Sequence, residues 1–244
     1  MSRFAGRTVV VTGGAMGIGA ACVRRFASEG AVVYIADVDD AAGAAVAAEV
    51  ASARFVHCDV SKAADWEALA AAVLREQGRV DVLVSNAYAL RFGAPHELPE
   101  DDWDLVQAVT LKAAYLGMRA LAPSLAAVEG AVVAVSSVHA HASYPGFAAY
   151  AAAKGGLGAL VRQLAVEYAP AVRVNAVVPG PIMTRQFAGM SPESIADEAG
   201  RTLANRMGRP EEVAAVIAFL ASEDAAYVTG AELAVDGGWQ VRHR

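Results

Sequence analysis

The sequence predicts an α/β protein built on a doubly wound, mostly parallel seven-stranded sheet with helices on both faces. Three observations carry this expectation. Short β-branched runs alternate with Ala-rich stretches of helical length, the runs show almost no polar alternation, and no linker breaks the rhythm. Strands that alternate with helices form β-α-β units and a parallel sheet. Strands that are apolar on both faces belong to a sheet covered on both sides.

In chain order the strand segments are "RTVVVT", "AVVYIAD", "ARFVHCD", "VDVLVS", "GAVVAVSS", "AVRVNAVVP" and "AELAVDGG", with helical segments between them. Without a Pro/Gly/Ser-rich boundary, residues 1–244 read as a single domain. The one interruption is about residues 180–209, between the sixth strand and the next helix. Insertions at the carboxyl ends of such strands carry ligand lids, so the segment at about 182–205 is expected to cover a substrate.

At 244 residues and 56% hydrophobic composition, the chain can bury a sizeable core without disulfides or a structural metal. It has no run of about 18 apolar residues, and its start lacks the apolar stretch and cleavage site of a signal peptide. A cytoplasmic location without a membrane partner is therefore expected. A net charge of −6 without a basic run argues against nucleic acid as a partner. Cys22 and Cys58 read as reduced, packed thiols, and no Cys/His cluster has zinc-ligand spacing, so no metal is expected.

The first strand leads into "TGGAMGIG" and then a helix. Gly13, Gly17 and Gly19 let backbone approach a pyrophosphate, whose charge a helix N-terminus favours. Met16 and Ile18 belong to the same candidate cofactor contact. Asp37 ends the second strand about 20 residues on, the interval at which a carboxylate accepts hydrogen bonds from an adenosine ribose. Such an Asp also serves as a cap or turn residue, but the glycine turn ahead of it favours the ribose. A carboxylate there repels a 2′-phosphate, and neither Met16 nor Val38 offsets it with a cation, so NAD is expected over NADP. Asp59 and Val60 after the third strand, and Asn86 after the fourth, lie along the same edge and read as contacts for the adenine and its ribose, or as plain turn residues.

The fifth strand brings Ser136 and Ser137 to this edge, and "YAAAK" follows on the next helix. Tyr150 and Lys154, at i and i+4, share one helix face. Lysine is scarce here: Lys62, Lys112 and Lys154 are the only three. Ionising a tyrosine at pH 7 costs about 4 kcal/mol, and a positive charge about 4 Å away returns a similar amount at an effective dielectric near 20. One ammonium, aided by an oxidised nicotinamide, makes Tyr150 a usable general acid/base. Ser137 can hydrogen-bond the substrate oxygen.

The ordered set of "TGGAMGIG", Asp37, Asp59–Val60, Asn86–Ala87, Ser137, "YAAAK", "NAVVPGPIMT" and "VTGAELAVDGG" resembles the short-chain dehydrogenase/reductase family over residues 6–239. The resemblance implies Rossmann architecture, an NAD(P) cofactor, catalytic roles for Ser137, Tyr150 and Lys154, and nicotinamide contacts from Pro179, Gly180, Ile182 and Thr184. It also implies a homotetramer packed through the helices at 106–122 and 150–168. Two positions depart from the family's pattern. Thr110 stands where an asparagine usually completes a proton relay; a threonine can bond carbonyls within its helix and bend it, so Thr110 is carried as a candidate catalytic residue. Tyr88 replaces the glycine of the usual Asn-Asn-Ala-Gly, where it contacts substrate or packs outward.

Tyr88, Leu90, His139, His141, Tyr144, Met183 and Phe187 are the candidate substrate walls, suited to a neutral ring or chain bearing a secondary alcohol. Arg91 and Arg185 either attract an anion or are ordinary exposed arginines. The leading expectation is NAD-dependent interconversion of a secondary alcohol and a ketone. The alternatives are an NADPH-dependent 3-oxoacyl thioester reductase and a nucleotide-binding scaffold without efficient turnover.

Overall fold

The computed structural model describes residues 2–242. Its strands are β1 (Thr8–Thr12), β2 (Val32–Asp37), β3 (Ala53–His57), β4 (Val82–Ser85), β5 (Ala131–Val135), β6 (Arg173–Pro179) and β7 (Glu232–Val235). The helices are α1 (Gly17–Ser28), α2 (Asp40–Glu49), α3 (Ala63–Gln77), α4 (Glu100–Gln107), α5 (Ala113–Ala127), α6 (Ala148–Tyr168), α7 (Pro192–Gly200) and α8 (Pro210–Ala221). A π-helical turn, Ala108–Lys112, joins α4 to α5.

All seven expected strands form one sheet in the order β3-β2-β1-β4-β5-β6-β7. Every pairing is parallel, so the sheet is wholly rather than mostly parallel. The winding runs from β1 out to β3, then returns to β4 on the other side of β1 and continues outward to β7. The direction thus reverses between β1 and β4, where the flanking connections part and leave a crevice at the carboxyl ends of the strands.

Successive side chains of a strand point to opposite faces. Val9 and Val11 accordingly enter one core with Ile35, Val84, Val133 and Ile217. Val10 enters the other with Tyr34, Leu83, Val132, Trp66 and Leu157. Helices α1 and α8 cover the first face, and α3, α5 and α6 cover the second. Each fully buried Val or Leu contributes about 1.5–3 kcal/mol, and the demand for apolar groups on both faces explains the missing polar alternation. Among the described residues no helix is long and apolar enough to cross a membrane.

Candidate active site

The carboxyl ends of β1, β2, β4, β5 and β6 open on one cavity of about 1110 Å³. At one end, Gly13 and Gly17 take φ +61° and +55°, a region that side-chain-bearing residues rarely enter. A Cβ on Gly19 would lie 1.9 Å from the Gly13 carbonyl oxygen. The start of α1 can therefore pack on the turn only if residue 19 is glycine. No side chain caps the N-terminus of α1, and its first turn carries no acid, so its N–H groups and dipole remain suited to an anion.

Asp37 lies beside this turn and is held by backbone. One carboxylate oxygen accepts the Ala15 N–H at 3.0 Å, and the other accepts those of Val38 and Asp39 at 2.8 and 3.1 Å. Asn86 donates its amide to the carbonyls of Thr12 and Gly13 at 2.9 and 3.0 Å. It ties the end of β4 to the glycine turn while still bordering the cavity. Asp59 accepts from the Ser61 hydroxyl at 2.7 Å and pairs with Lys62 at 3.0 Å. A glycine cradle, an uncapped helix end and an oriented carboxylate fit a dinucleotide.

At the other end, α6 is fastened to the end of β5. The Lys154 ammonium donates to the Val135 carbonyl at 2.6 Å, and the Ser136 hydroxyl donates to the Lys154 carbonyl at 3.3 Å. Ser137 caps the short 3₁₀ turn Val138–Ala140, its hydroxyl accepting the His139 N–H at 3.2 Å. That hydroxyl also lies close enough to the Tyr150 phenol to favour its phenolate. Ser137, Tyr150 and Lys154 thus meet at the cavity floor.

The electrostatics correct one expectation. Among the chain's own groups Tyr150 is raised rather than lowered: burial pushes it well above its usual value, the Ser137 contact offsets part of this, and Tyr88 adds to the rise. Lys154, only 2% exposed, is brought down by burial to about 7. Burial acts on both members of the pair, disfavouring phenolate and ammonium alike. His139 is likewise lowered by burial.

A family model described as enoyl-(acyl carrier protein) reductase matches residues 13–240. The chain belongs to the short-chain dehydrogenase/reductase family. The cyclopentanol dehydrogenase of Comamonas sp. (strain NCIMB 9872) is 37% identical over 248 residues, covering 98% of this chain and 99% of that protein. The meso-2,3-butanediol dehydrogenase of Serratia marcescens is 38% identical over 240 residues, covering 97% and 95%. The solved ligand-free structure of the Thermoplasma acidophilum aldohexose dehydrogenase has a TM-score of 0.92 at 31% identity, covering 99% of this chain and 97% of its own. As a short-chain dehydrogenase/reductase, the protein is an oxidoreductase of alcohols and ketones that uses a nicotinamide cofactor.

Most residues expected at the family's site share the cavity. Met16, Ile18, Val60, Pro179 and Gly180 line it, as do Ile182 and Thr184. Gly19 lies behind the turn rather than on the cavity wall. Tyr88, Leu90, His139, Tyr144 and Phe187 line the substrate end. Two wall candidates do not. Met183 sits between Ile182 and Thr184 in extended chain, so its side chain faces the other way and is exposed. His141 turns to Glu232, at 2.8 Å, which also accepts from Arg162 at 2.8 Å.

Thr110 differs from expectation in its partner. The helix is distorted there, as the π turn shows, but the hydroxyl does not bond within it. It accepts the Ala89 N–H at 3.1 Å and donates to the Ala89 carbonyl at 3.3 Å. Both functions of the hydroxyl therefore anchor the loop after β4. Cys22 and Cys58 are buried free thiols.

Phe147, Arg201 and Trp239 also line the cavity and were not foreseen. Phe147 stacks on His139 at 4.2 Å, and its place three residues before Tyr150 was the available signal. Arg201 lies over the Tyr144 ring at 5.2 Å and donates to its hydroxyl at 2.9 Å. Trp239 meets the same ring at 5.9 Å. These two arrive from residues distant in sequence, and no local pattern marks them.

Proposed function

We propose that the protein is an NAD-dependent dehydrogenase/reductase of a small neutral secondary alcohol, with Tyr150 as general acid/base. The observation that carries this reading is the meeting of Ser137, Tyr150 and Lys154 on the cavity that begins at the glycine turn. In oxidation, Tyr150 takes the carbinol proton on its phenolate oxygen, and in reduction it returns that proton to the carbonyl oxygen. The Ser137 hydroxyl hydrogen-bonds the substrate oxygen as its charge changes. When bound, the oxidised nicotinamide supplies the hydride acceptor and a further positive charge.

That additional charge has a physical basis. A phenol already raised by burial needs more than about 4 kcal/mol to ionise at pH 7, and a single ammonium about 4 Å away returns only about that amount. Residues Gly13, Met16, Gly17 and Ile18 would hold the pyrophosphate, with Gly19 packed behind them. Asp37 would hold the adenosine ribose, and Asp59, Val60 and Asn86 would border its adenine. Pro179, Gly180, Ile182 and Thr184, with Tyr150 and Lys154, would hold the nicotinamide half. Asp37 with the uncharged Met16 and Val38 beside it supports NAD over NADP.

The aromatic walls support a compact ring or a short diol, in keeping with the substrates named for the cyclopentanol and butanediol relatives. Residues 182–205, as part of the one domain, are read as the cover over that substrate: Phe187 and Arg201 reach the cavity from this segment. Exposed Trp103, Tyr115 and Val166 on α4, α5 and α6 support a homotetramer packed through those helices, in the cytoplasm, which light scattering tests by mass. Reduction of NAD and NADP should be followed across cyclic alcohols, vicinal diols, sugars and 3-hydroxyacyl thioesters. Turnover is expected with NAD on the first two. Dominant NADPH-linked reduction of 3-oxoacyl thioesters would replace this reading, and NADH binding without turnover would leave only the scaffold.

A further inference from the structure

Lys154 is a buried cation with an unusual coat. Its ammonium has three donors, one of which bonds the Val135 carbonyl. Among the described residues no carboxylate pairs with it. Two aromatic rings stand beside it instead: Nζ lies 5.5 Å from the Tyr150 centroid and 5.9 Å from that of Tyr88. The two centroids are 6.1 Å apart with their planes at 68°, so the ammonium and both rings form a nearly equilateral triangle. A cation within about 6 Å of a tyrosine centroid is attracted by the ring quadrupole.

Tyr150 occupies its corner because the chemistry requires it. Tyr88 does not: it stands after β4, where the family's pattern carries glycine and no ring. We propose that Tyr88 is a positioning residue for the acid/base pair, its ring forming a π wall that holds Lys154 charged and directed at Tyr150. This rests on the role of Lys154 in the proposed function. The titratable groups that face Lys154 are Tyr150 on α6 and Tyr88 after β4, and His139 after β5 meets Tyr150 at 5.7 Å.

Magnitude makes the contact matter. An amine that burial brings to about 7 is close to half charged at neutral pH, where a small added attraction changes the charged fraction most. A cation–π contact at this distance corresponds to about half a pH unit. The same ring also excludes water, which acts in the opposite direction. A leucine at position 88 excludes water comparably without a π face, so it separates the two effects.

The chain's three lysines make a direct test feasible. Protein labelled with ¹³C at lysine Cε is titrated by NMR without cofactor, and the Lys154 signal is assigned by its loss in Lys154→Arg. Tyr88→Phe should leave the Lys154 midpoint unchanged, whereas Tyr88→Leu should lower it by about half a pH unit. Lys62 and Lys112 should not move, which also reports that the variants are folded; Tyr88→Met replaces the leucine variant if that one is unstable. An unchanged or raised midpoint in the leucine or methionine variant, or an equal fall in Tyr88→Phe, overturns the proposal. In turnover, Tyr88→Leu should move the acidic limb of alcohol oxidation to higher pH, because Tyr150 loses part of the charge that favours its phenolate. Absence of any turnover would count against the proposed function and leave the titration result standing.

Discussion

The two ends of the cavity are built on different principles. At the glycine end, the polar side chains are bonded within the chain: Asp37 accepts three backbone N–H groups, and Asn86 donates to two carbonyls of the turn. At the tyrosine end, burial pushes Tyr150 up and brings Lys154 and His139 down. His139 Nδ1 and Arg201 Nε are also buried there without a partner, the only such side-chain atoms among the described residues. A site for a ligand used in many turnovers can be a rigid template whose side chains are held in place. A site for proton transfer needs groups close to the point of changing charge: burial brings Lys154 there, whereas Tyr150, moved away by it, depends on added positive charge.

Tyr150→Phe breaks this comparison most severely. It removes the proton carrier but leaves the template, so kcat/KM should fall by about 10³–10⁴. NADH binding, followed by its fluorescence, should be nearly unchanged. A loss below tenfold would mean that the tyrosine end is not the chemical end.

Lys154→Met comes next, read in stability. An unfolded lysine stays protonated to about pH 10.4, whereas the folded Lys154 is brought by burial to about 7. Between those values the unfolded chain binds more protons, so Lys154 makes stability rise with pH across that window. Relative to Lys154→Met, the wild type should gain on the order of 3 kcal/mol from about pH 7 to about pH 9.5. Parallel denaturation curves for the two proteins at every pH would show that Lys154 is not held in a depressed state.

At the other end, Asp37→Ser should lose a charged acceptor for the ribose, together with part of the backbone anchoring that the second carboxylate oxygen supplies. Two charge-assisted hydrogen bonds predict a rise in KM for NAD of about 100-fold, with a gain for NADP. An NADP preference in the unaltered protein would refute the role assigned to Asp37.

The same contrast decides what could be read from the sequence. The glycine end is local: its turn, helix start and strand-end carboxylate follow one another in the chain, and their spacing carries their geometry. The Tyr150–Lys154 pair is legible for the same reason, since one helical turn fixes it. The direction of their charge shifts was not, because it depends on how deeply surrounding elements bury them. Arg201 and Trp239 reach Tyr144 from α7's end and from beyond β7, contacts that only the tertiary fold creates. His141 was misplaced because its partner Glu232 lies on the last strand. Met183 was misplaced although alternation along extended chain would have excluded it once Ile182 and Thr184 were placed inside.

Thr110 is buried behind Ala89, off the cavity wall, and offers the smallest effect. Its hydroxyl satisfies both backbone groups of Ala89, in the loop that carries Tyr88 from β4 toward the cavity. Thr110→Val keeps the shape and removes both bonds, leaving partly buried backbone groups unpaired at about 1–2 kcal/mol, or about 3–6 °C in Tm. Thr110→Asn should recover most of this, because an amide can both donate and accept. If the hydroxyl acts only as an anchor, kcat/KM should change by less than about fivefold in the valine variant, well below the effect of losing a general acid/base. A loss near 100-fold at unchanged Tm would instead place the hydroxyl in proton transfer. The chemical end of the cavity would then extend past Ala89 to the π turn at position 110, and the anchor on Ala89 would be a resting arrangement that opens during turnover.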